Sequence, residues 1–141
     1  MRDFFDTSVL IAAFWHGHAQ HAASLRLFAA ARRERSACAV HTLAEVYAAM
    51  SALPVKPMIP PEQAFLFVEE VRKRLTLISL SESEYAATIQ KASEQGLTGG
   101  RIYDALLLRC AAKCAAQHVY TLNLKHFQAI APSLAHRIRT P

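Results

Sequence analysis

The chain has 141 residues, 52% of them hydrophobic, which suits a single domain whose core is large enough to need no disulfides. No apolar run approaches the roughly 18 residues that span a bilayer, and early aspartates interrupt any leader-like stretch, so we expect a cytoplasmic protein with no membrane anchor. The net charge of +5 favours a polyanionic partner such as nucleic acid, although runs of arginine are also typical of solvated helix ends.

Short apolar strands alternate with amphipathic helices along the chain. Pro61 suits the first turn of one helix, and another begins with a Ser81–Glu84 capping box and stops at Gly96. In chain order we predict strand 2–5, helix 7–15, helix 22–35, strand 37–40, helix 42–53, helix 61–74, strand 75–79, helix 81–96, helix 98–117, strand 118–122, helix 124–132 and an edge strand at 136–140. This alternation predicts one α/β domain over residues 1–141, with a central, mostly parallel sheet and helices on both faces.

The cysteines and a histidine-rich loop offer no convincing metal site. Cys110 and Cys114 are four residues apart, but His118 would lie about 12 Å from Cys110 on a straight helix, too far to share an ion. With Cys38 they are predicted to be reduced core thiols. The three histidines of segment 16–21 match no zinc spacing.

Acidic or amide side chains occur near the ends of several predicted strands. Asp6 follows the first strand, Glu45 lies in the first turn of the helix after the second, and Asn123 follows the fourth. Asp104 lies early in an otherwise apolar helix. Because ligands of open α/β sheets bind beyond the carboxyl ends of the strands, we expect these four side chains to converge there.

Each acid also has a purely local interpretation. Asp6 could cap a helix, and Glu45 could complete a capping box with Thr42. Asp104 could pair with Arg101, one turn earlier. Asp104 argues most strongly against such interpretations, because the Ala-Leu-Leu-Leu that follows it points to a buried setting, where an unpaired carboxylate is costly.

A divalent cation would relieve that cost. Mg²⁺ prefers oxygen ligands, and clustered acids supply them while several waters remain on the ion. A hydrated Mg²⁺ or Mn²⁺ can generate hydroxide and stabilise charge on a phosphoryl group. Phosphodiester hydrolysis is therefore the chemistry that best suits a basic protein with an acid-lined site.

Five motifs carry a resemblance to a known family: FFDTSVLIAAF, HAQHAASLRLF, TLAEVYAAM, GGRIYDALLL and YTLNLKHF. In this order and spacing they resemble the PIN-domain ribonucleases, and among them the VapC-type toxins of bacterial toxin–antitoxin modules. The resemblance covers essentially the whole chain. It implies a PIN-like three-layer α/β/α sandwich and an endoribonuclease that cleaves RNA with a metal-activated water.

The resemblance also implies roles for individual residues. Asp6, Glu45 and Asp104 match the metal-binding acids, and Asn123 stands where the family has a fourth acid. Because the amide removes one negative charge, we expect one tightly held Mg²⁺, replaceable by Mn²⁺, and a second ion only beside substrate phosphate. The supporting hydroxyls are expected at Thr7, Ser8 and Thr121, and contacts to RNA at Arg101, Lys125 and His126.

Partners follow from the same resemblance. VapC-type proteins are homodimers held partly by early helices, and a VapB-type antitoxin wraps a helical groove near their site. Residues 53–67 would belong to the gripped region, unless they are only a loop followed by a core-facing helix.

Two rival functions remain at this stage. A haloacid dehalogenase-type phosphatase also begins with a strand and an aspartate, but it needs a second aspartate where this chain has Ser8. A catalytically inert PIN-fold binding or scaffold module is favoured only by Asn123. Such a module should not bind Mn²⁺ at the acids.

Overall fold

The computed structural model describes residues 1–141, which form five strands, seven α-helices and one 3-10 helix. In chain order they are β1 (Asp3–Phe5), α1 (Thr7–Phe14), α2 (His21–Ala29), β2 (Ser36–Ala39), α3 (His41–Ser51), α4 (Pro61–Arg74), β3 (Thr76–Ile78), α5 (Glu82–Glu94), α6 (Arg101–Lys113), β4 (His118–Tyr120), α7 (Leu124–Ile130), the 3-10 helix (Pro132–Arg137) and β5 (Ile138–Arg139). Every predicted strand is present, including the edge strand. None of the helices combines the length and hydropathy needed to cross a membrane.

The strands form one sheet in the order β3-β2-β1-β4-β5. All four pairings are parallel, so the predicted mostly parallel sheet is confirmed and has no antiparallel strand. β1 is central, where Asp3 is opposite Ser36 on one side and His118 on the other. All five carboxyl ends therefore lie at one edge of the sheet.

Two hydrophobic cores cover the two faces of the sheet. Because neighbouring side chains of a strand point to opposite faces, Phe4 packs with α6 and α7 whereas Phe5 packs with α1, α3 and α4. Both phenylalanines are almost fully buried. The result is the expected three-layer α/β/α arrangement.

The predicted end of α2 is wrong by several residues. The helix ends at Ala29 rather than 35, although its Ala- and Arg-rich continuation has high helix propensity. Tertiary contacts override that preference, because the carbonyl of Arg35 must accept the N–H groups of Arg2 and Asp3 where the sheet begins. The Arg32 guanidinium instead donates to the Ala29 carbonyl at the helix end.

The predicted end of α6 is wrong for a similar reason. The helix stops at Lys113 rather than 117, in a Schellman turn whose Ala115 has a positive φ of 51°. In that turn the N–H of Ala115 donates to the carbonyl of Ala112, and the N–H of Ala116 donates to that of Ala111.

The Ser81 capping box is confirmed. The Glu84 N–H donates to Ser81 Oγ (3.2 Å), and the Ser81 N–H donates to Glu84 Oε1 (3.0 Å). Glu84 also accepts from Arg109 (3.1 Å) and Lys113 (2.7 Å), which ties the start of α5 to α6.

The arginine runs lie near the amino ends of the strands, away from Asp6. Arg33 donates to the Arg72 carbonyl (2.7 Å), and Arg74 donates to the Ala29 carbonyl (3.0 Å). These cations therefore serve the C-terminal ends of α2 and α4, as the local interpretation of the runs expected.

The three cysteines are free thiols, as predicted. Cys38 and Cys110 are buried and Cys114 is half-buried. Burial raises the pKa of each thiol, so all three stay protonated at neutral pH.

Candidate active site

Asp6 lies directly after β1, where the backbone turns into α1. Its N–H donates to the carbonyl of Tyr120 (2.9 Å), which extends the pairing of β1 and β4 beyond the strands. The residue is 3% exposed, and its side chain forms no capping hydrogen bond with α1. Asp6 thus occupies the N-cap position of α1, but capping alone does not account for its buried carboxylate.

Two hydroxyls converge on one oxygen of Asp6. Ser8 Oγ donates to Oδ2 at 2.6 Å and Thr121 Oγ1 donates to the same atom at 2.7 Å. Each hydroxyl in turn accepts a backbone N–H from the segment after β4, Ser8 from Leu122 and Thr121 from Asn123, both at 3.0 Å. Both side-chain donors therefore act on Oδ2, and no side chain donates to Oδ1.

The same hydroxyls oppose the electrostatic effect of burial. Burial raises the pKa of Asp6, and the hydrogen bonds from Ser8 and Thr121 lower it. The carboxylate is thus stabilised by neutral donors in a place that still favours a nearby positive charge.

Glu45 lies one turn after the start of α3 and accepts a hydrogen bond from a residue of α1. Its Oε1 accepts from Thr7 Oγ1 (2.9 Å), which is also 3.1 Å from Oγ1 of the fully buried Thr42. The predicted capping box of Thr42 and Glu45 is wrong, because α3 has no side-chain cap. Burial raises the pKa of Glu45; the Thr7 hydrogen bond and the charge of His41 lower it, and the charge of Asp6 raises it.

Asp104 lies in the first turn of α6 and is half-buried. Its pKa is raised to about 6, first by burial and then by the negative charges of Asp6 and Glu45. The positive charges of His126 and Arg101 act in the opposite direction. Arg101 forms no ion pair with Asp104 within 4.0 Å, so the local pairing suggested by the sequence is absent.

The charge of Asp6 raises the pKa of Glu45 and of Asp104, and that of Glu45 raises the pKa of Asp104, so the three carboxylates lie near one another at the carboxyl end of the sheet. No three His, Cys, Asp or Glu side chains in the chain are close enough to hold one metal ion unaided. Mg²⁺ commonly keeps several waters and binds through one or two carboxylates, so a spaced set of three acids suits a hydrated ion. Carboxylate oxygens are the donors that Mg²⁺ and Mn²⁺ prefer, and Asp6, Glu45 and Asp104 are the residues that would hold such an ion, with waters completing its coordination.

Asn123 reaches this site through its backbone rather than its side chain. Its N–H supports Thr121, but the residue is exposed and its side chain forms no hydrogen bond with the acids. It lines a cavity of about 560 Å³ together with Ser8 and Trp15. The structure thus brings together three of the four predicted side chains and places the fourth at their margin.

The predicted RNA contacts lie around the acids on exposed surface. Arg101 precedes Asp104 on α6, and Lys125 and His126 lie in the first turn of α7. His126 is close enough for its charge to lower the pKa of Asp104, which burial raises overall. By contrast, His21 of the histidine-rich loop contacts the carbonyl of Ala12 and belongs to no metal-binding group.

Two aromatic residues beside the acids escaped the sequence analysis. The His41 ring stacks on the Tyr103 ring with centroids 5.6 Å apart and planes 8° from parallel. The signal was available in the spacing, since His41 precedes Glu45 by one helical turn and Tyr103 precedes Asp104 directly.

Comparison with known proteins agrees with this architecture. A family model described as the PIN domain matches residues 4–131. Ribonuclease VapC27 of Mycobacterium tuberculosis is 33% identical over 112 residues, which cover 79% of this chain and 78% of that protein.

Solved structures share the fold. The crystal structure of M. tuberculosis VapC20, described as a toxin that cleaves the sarcin–ricin loop, superposes with a TM-score of 0.73 at 16% identity, covering 90% of this chain and 94% of that one. VapBC2 from Rickettsia felis, solved with a DNA fragment from its promoter, gives a TM-score of 0.61 at 22% identity, with coverage of 89% and 90%. The chain therefore belongs to the PIN-domain family, and its relatives within that family are VapC proteins.

Proposed function

We propose that this protein is a Mg²⁺-dependent endoribonuclease and the toxin of a type II toxin–antitoxin module. The observation that carries the proposal is the group of three neighbouring carboxylates, Asp6, Glu45 and Asp104, at the carboxyl end of the central strands. Membership of a family whose relatives are named ribonucleases supports the same activity.

In the proposed mechanism the metal ion, the acids that hold it and the hydroxyls that orient those acids have separate tasks. Bound Mg²⁺, or Mn²⁺ in its place, would supply an activated water and stabilise charge on the scissile phosphate. Asp6, Glu45 and Asp104 bind the ion. Because Ser8 and Thr121 fix Oδ2 of Asp6, the direction of its other oxygen is set before any ligand arrives.

Thr7 orients Glu45 in the same way from α1. Asn123 supplies no negative charge, and its exposed amide suits contact with a water or substrate rather than a second resident ion. Arg101, Lys125 and His126 would bind phosphates of the RNA backbone, since all three are exposed cations or titratable bases near the acids.

The partners we propose are RNA and a VapB-type antitoxin. Large apolar side chains are exposed at the start of α4 and just before it: Met58 at 65%, Phe65 at 52% and Leu66 at 55%. Such a patch is typical of a protein interface. The VapBC structure among the neighbours supports an antitoxin as its occupant, and a homodimer is proposed on the same family grounds.

The decisive experiment compares RNA cleavage by Asp6→Asn and Asp3→Asn proteins with Mg²⁺, with Mn²⁺ and with EDTA. Asp3 is the first residue of β1 and Asp6 follows its last, and both are largely buried. Asp3 is the control because it lies at the end of β1 opposite the site, where it pairs with His118. We expect discrete RNA fragments from the wild type and Asp3→Asn, and none from Asp6→Asn or in EDTA.

Direct Mn²⁺ titration separates the proposed enzyme from an inert PIN-fold module. The wild type should bind Mn²⁺ more tightly than Asp6→Asn does. An antitoxin-free protein that neither binds Mn²⁺ nor cleaves RNA would be the inert module, and equal cleavage by both variants would identify a contaminating nuclease.

A further inference from the structure

An aromatic cavity lies next to the carboxylates and is not used by the proposed metal chemistry. It has a volume of about 270 Å³ and opens where β2 and β3 end. Its lining is mostly apolar, and Ser79, Tyr85 and Tyr103 are the lining residues that carry a hydroxyl. His41 and Tyr103 also belong to this lining.

His41 and Tyr103 form an exposed aromatic pair. His41 is exposed and Tyr103 is 48% exposed, and their rings stack nearly parallel with centroids 5.6 Å apart. A third flat ring can stack on an exposed pair of parallel aromatic rings. Proteins bind the unpaired bases of single-stranded RNA in this way, by stacking them on Tyr or His.

The same two helices carry both the aromatic pair and the acids. On α3, His41 lies one turn before Glu45 and its charge lowers the carboxyl's pKa, which burial raises. On α6, Tyr103 is followed at once by Asp104. A base stacked on this pair would therefore rest on the two helices that also carry two of the acids.

Charge and polarity favour a nucleotide over a purely apolar occupant. The exposed Arg101 begins the helix that carries Tyr103 and Asp104, and it has no carboxylate partner within 4.0 Å. Ser79 and Tyr85 add hydroxyl-bearing residues to an otherwise apolar wall. An exposed aromatic pair, a few polar residues and a cation at the start of the same helix together suit a base linked to phosphate.

We propose that the cavity behind His41 and Tyr103 receives an unpaired RNA base next to the scissile phosphate and positions the strand for cleavage. This inference rests on the proposed ribonuclease function. It makes Tyr103 a positioning residue and a determinant of which base is accepted.

The test uses short single-stranded RNA that carries 2-aminopurine between uridines, whose fluorescence falls when the base stacks. Binding is measured in Mg²⁺ on an Asp6→Asn background, where no cleavage occurs. Tyr103→Leu should weaken binding about 5- to 100-fold and abolish the quenching. Tyr103→Phe keeps the stacking face and should bind within about twofold of the parent.

The matched control is Tyr47→Leu. Tyr47 is a similarly exposed tyrosine of α3 (41%) that does not line the cavity, and its loss should leave both binding and quenching unchanged. Thermal unfolding of each variant verifies the fold.

The outcomes separate this proposal from the one on which it depends. If the wild type cleaves RNA but Tyr103→Leu binds like Tyr47→Leu, the base pocket is wrong and the ribonuclease stands. If the wild type binds no RNA and cleaves none, both fail. If Tyr103→Leu disrupts self-association in light scattering and leaves RNA affinity intact, the cavity is a protein interface and the proposal is overturned.

Discussion

At Asp6, the fold uses neutral hydroxyls to steady a buried carboxylate. Ser8 and Thr121 bring their protons to one oxygen and take backbone N–H groups in return. Neither hydroxyl could be replaced by a methyl group without leaving a buried polar partner unsatisfied, which costs roughly 1–3 kcal/mol.

Thr121→Val tests this arrangement with little change in shape. It removes a donor to Asp6 and an acceptor for the Asn123 N–H, so we expect the free energy of unfolding to fall by about 1–3 kcal/mol in urea denaturation. Mn²⁺ affinity should fall as well, because loss of the donor raises the pKa of Asp6 further. The exposed Thr98→Val is the control, and equal effects of the two changes would remove Thr121 from the site.

Asp104 predicts a dependence of stability on pH. Its pKa is about 6 in the folded state and 3.8 in the reference state, so the folded protein holds this proton more tightly. The stabilisation from the protonated form is complete below about pH 4 and is lost as pH rises through 6. Its size is at most about 3 kcal/mol, less the solvent screening of a half-buried group.

Asp104→Asn should therefore melt at a higher temperature than the wild type at pH 7.5 in EDTA, and at nearly the same temperature at pH 4. Mg²⁺ should raise the melting temperature of the wild type at pH 7.5 more than that of the variant. RNA cleavage by the variant should be abolished. Differential scanning calorimetry at both pH values provides the measurement, and a difference that grows toward low pH would contradict it.

Among the helices, α6 contributes most to the site, and the turn at its end is sterically strained. It presents Tyr103 and Asp104 at its start, and its terminal turn requires Ala115 at φ 51°, where a side chain is disfavoured. Glycine is the usual residue there.

Ala115→Gly should stabilise the protein by roughly 0.5–1 kcal/mol because it removes that steric penalty. Chemical denaturation should show a higher midpoint with an unchanged slope. Ala112→Gly, within the same helix, should instead destabilise by a similar amount. Stabilisation by both would show that the turn at 115 is not the cause.

On the scale of the whole molecule, positive charge divides into two sets. The arginine runs near the amino ends of the strands bond to carbonyls and glutamates, for example Arg72 to Glu69 at 3.0 Å. Arg101 and Lys125, at the other end, are exposed beside the acids. Net charge alone therefore overstates how much of the surface is available to RNA.

Arg101→Gln should weaken single-stranded RNA binding and reduce the slope of log Kd against log salt by roughly 0.7, the value for one lost phosphate contact. Arg33→Gln should leave that slope unchanged and lower stability, since Arg33 donates to the Arg72 carbonyl. Fluorescence anisotropy across a salt series checks both. A larger slope change for Arg33→Gln would reverse the assignment of the two charge sets.

Most of the fold could be predicted because local periodicity and global architecture agree. Alternating strands and helices leave a parallel sheet as the natural solution, and its carboxyl edge follows from that. The ends of α2 and α6 could not be predicted, since Ala, Arg and Lys favour helix and only contacts with β1 or the αL turn stop them.

The site, like the fold, could be predicted where neighbouring residues determine it but not where contacts join residues far apart in the sequence. The placement of Asp6, Glu45 and Asp104 near one edge follows from their positions after strands and from family resemblance. The partner of Glu45 did not follow, because a capping box with Thr42 is visible within four residues whereas Thr7 is 38 residues away. The aromatic cavity could not be predicted for the same reason, because its walls come from four segments that are separated in the sequence.

The pairing of Asp6 with Thr121 joins groups separated by 115 residues of chain, and Ser8 meets Leu122 across 114. The amino-terminal residues are synthesised first, so β1 lacks its neighbour β4 until residues 118–120 have been synthesised. Until then, the Asp6 carboxylate lacks the hydrogen bond from Thr121, and Ser8 lacks the N–H of Leu122. A nascent or prematurely terminated chain therefore lacks the hydrogen bonds that hold the Asp6 carboxylate, and the proposed site is complete only once residues 121 and 122 have joined the fold.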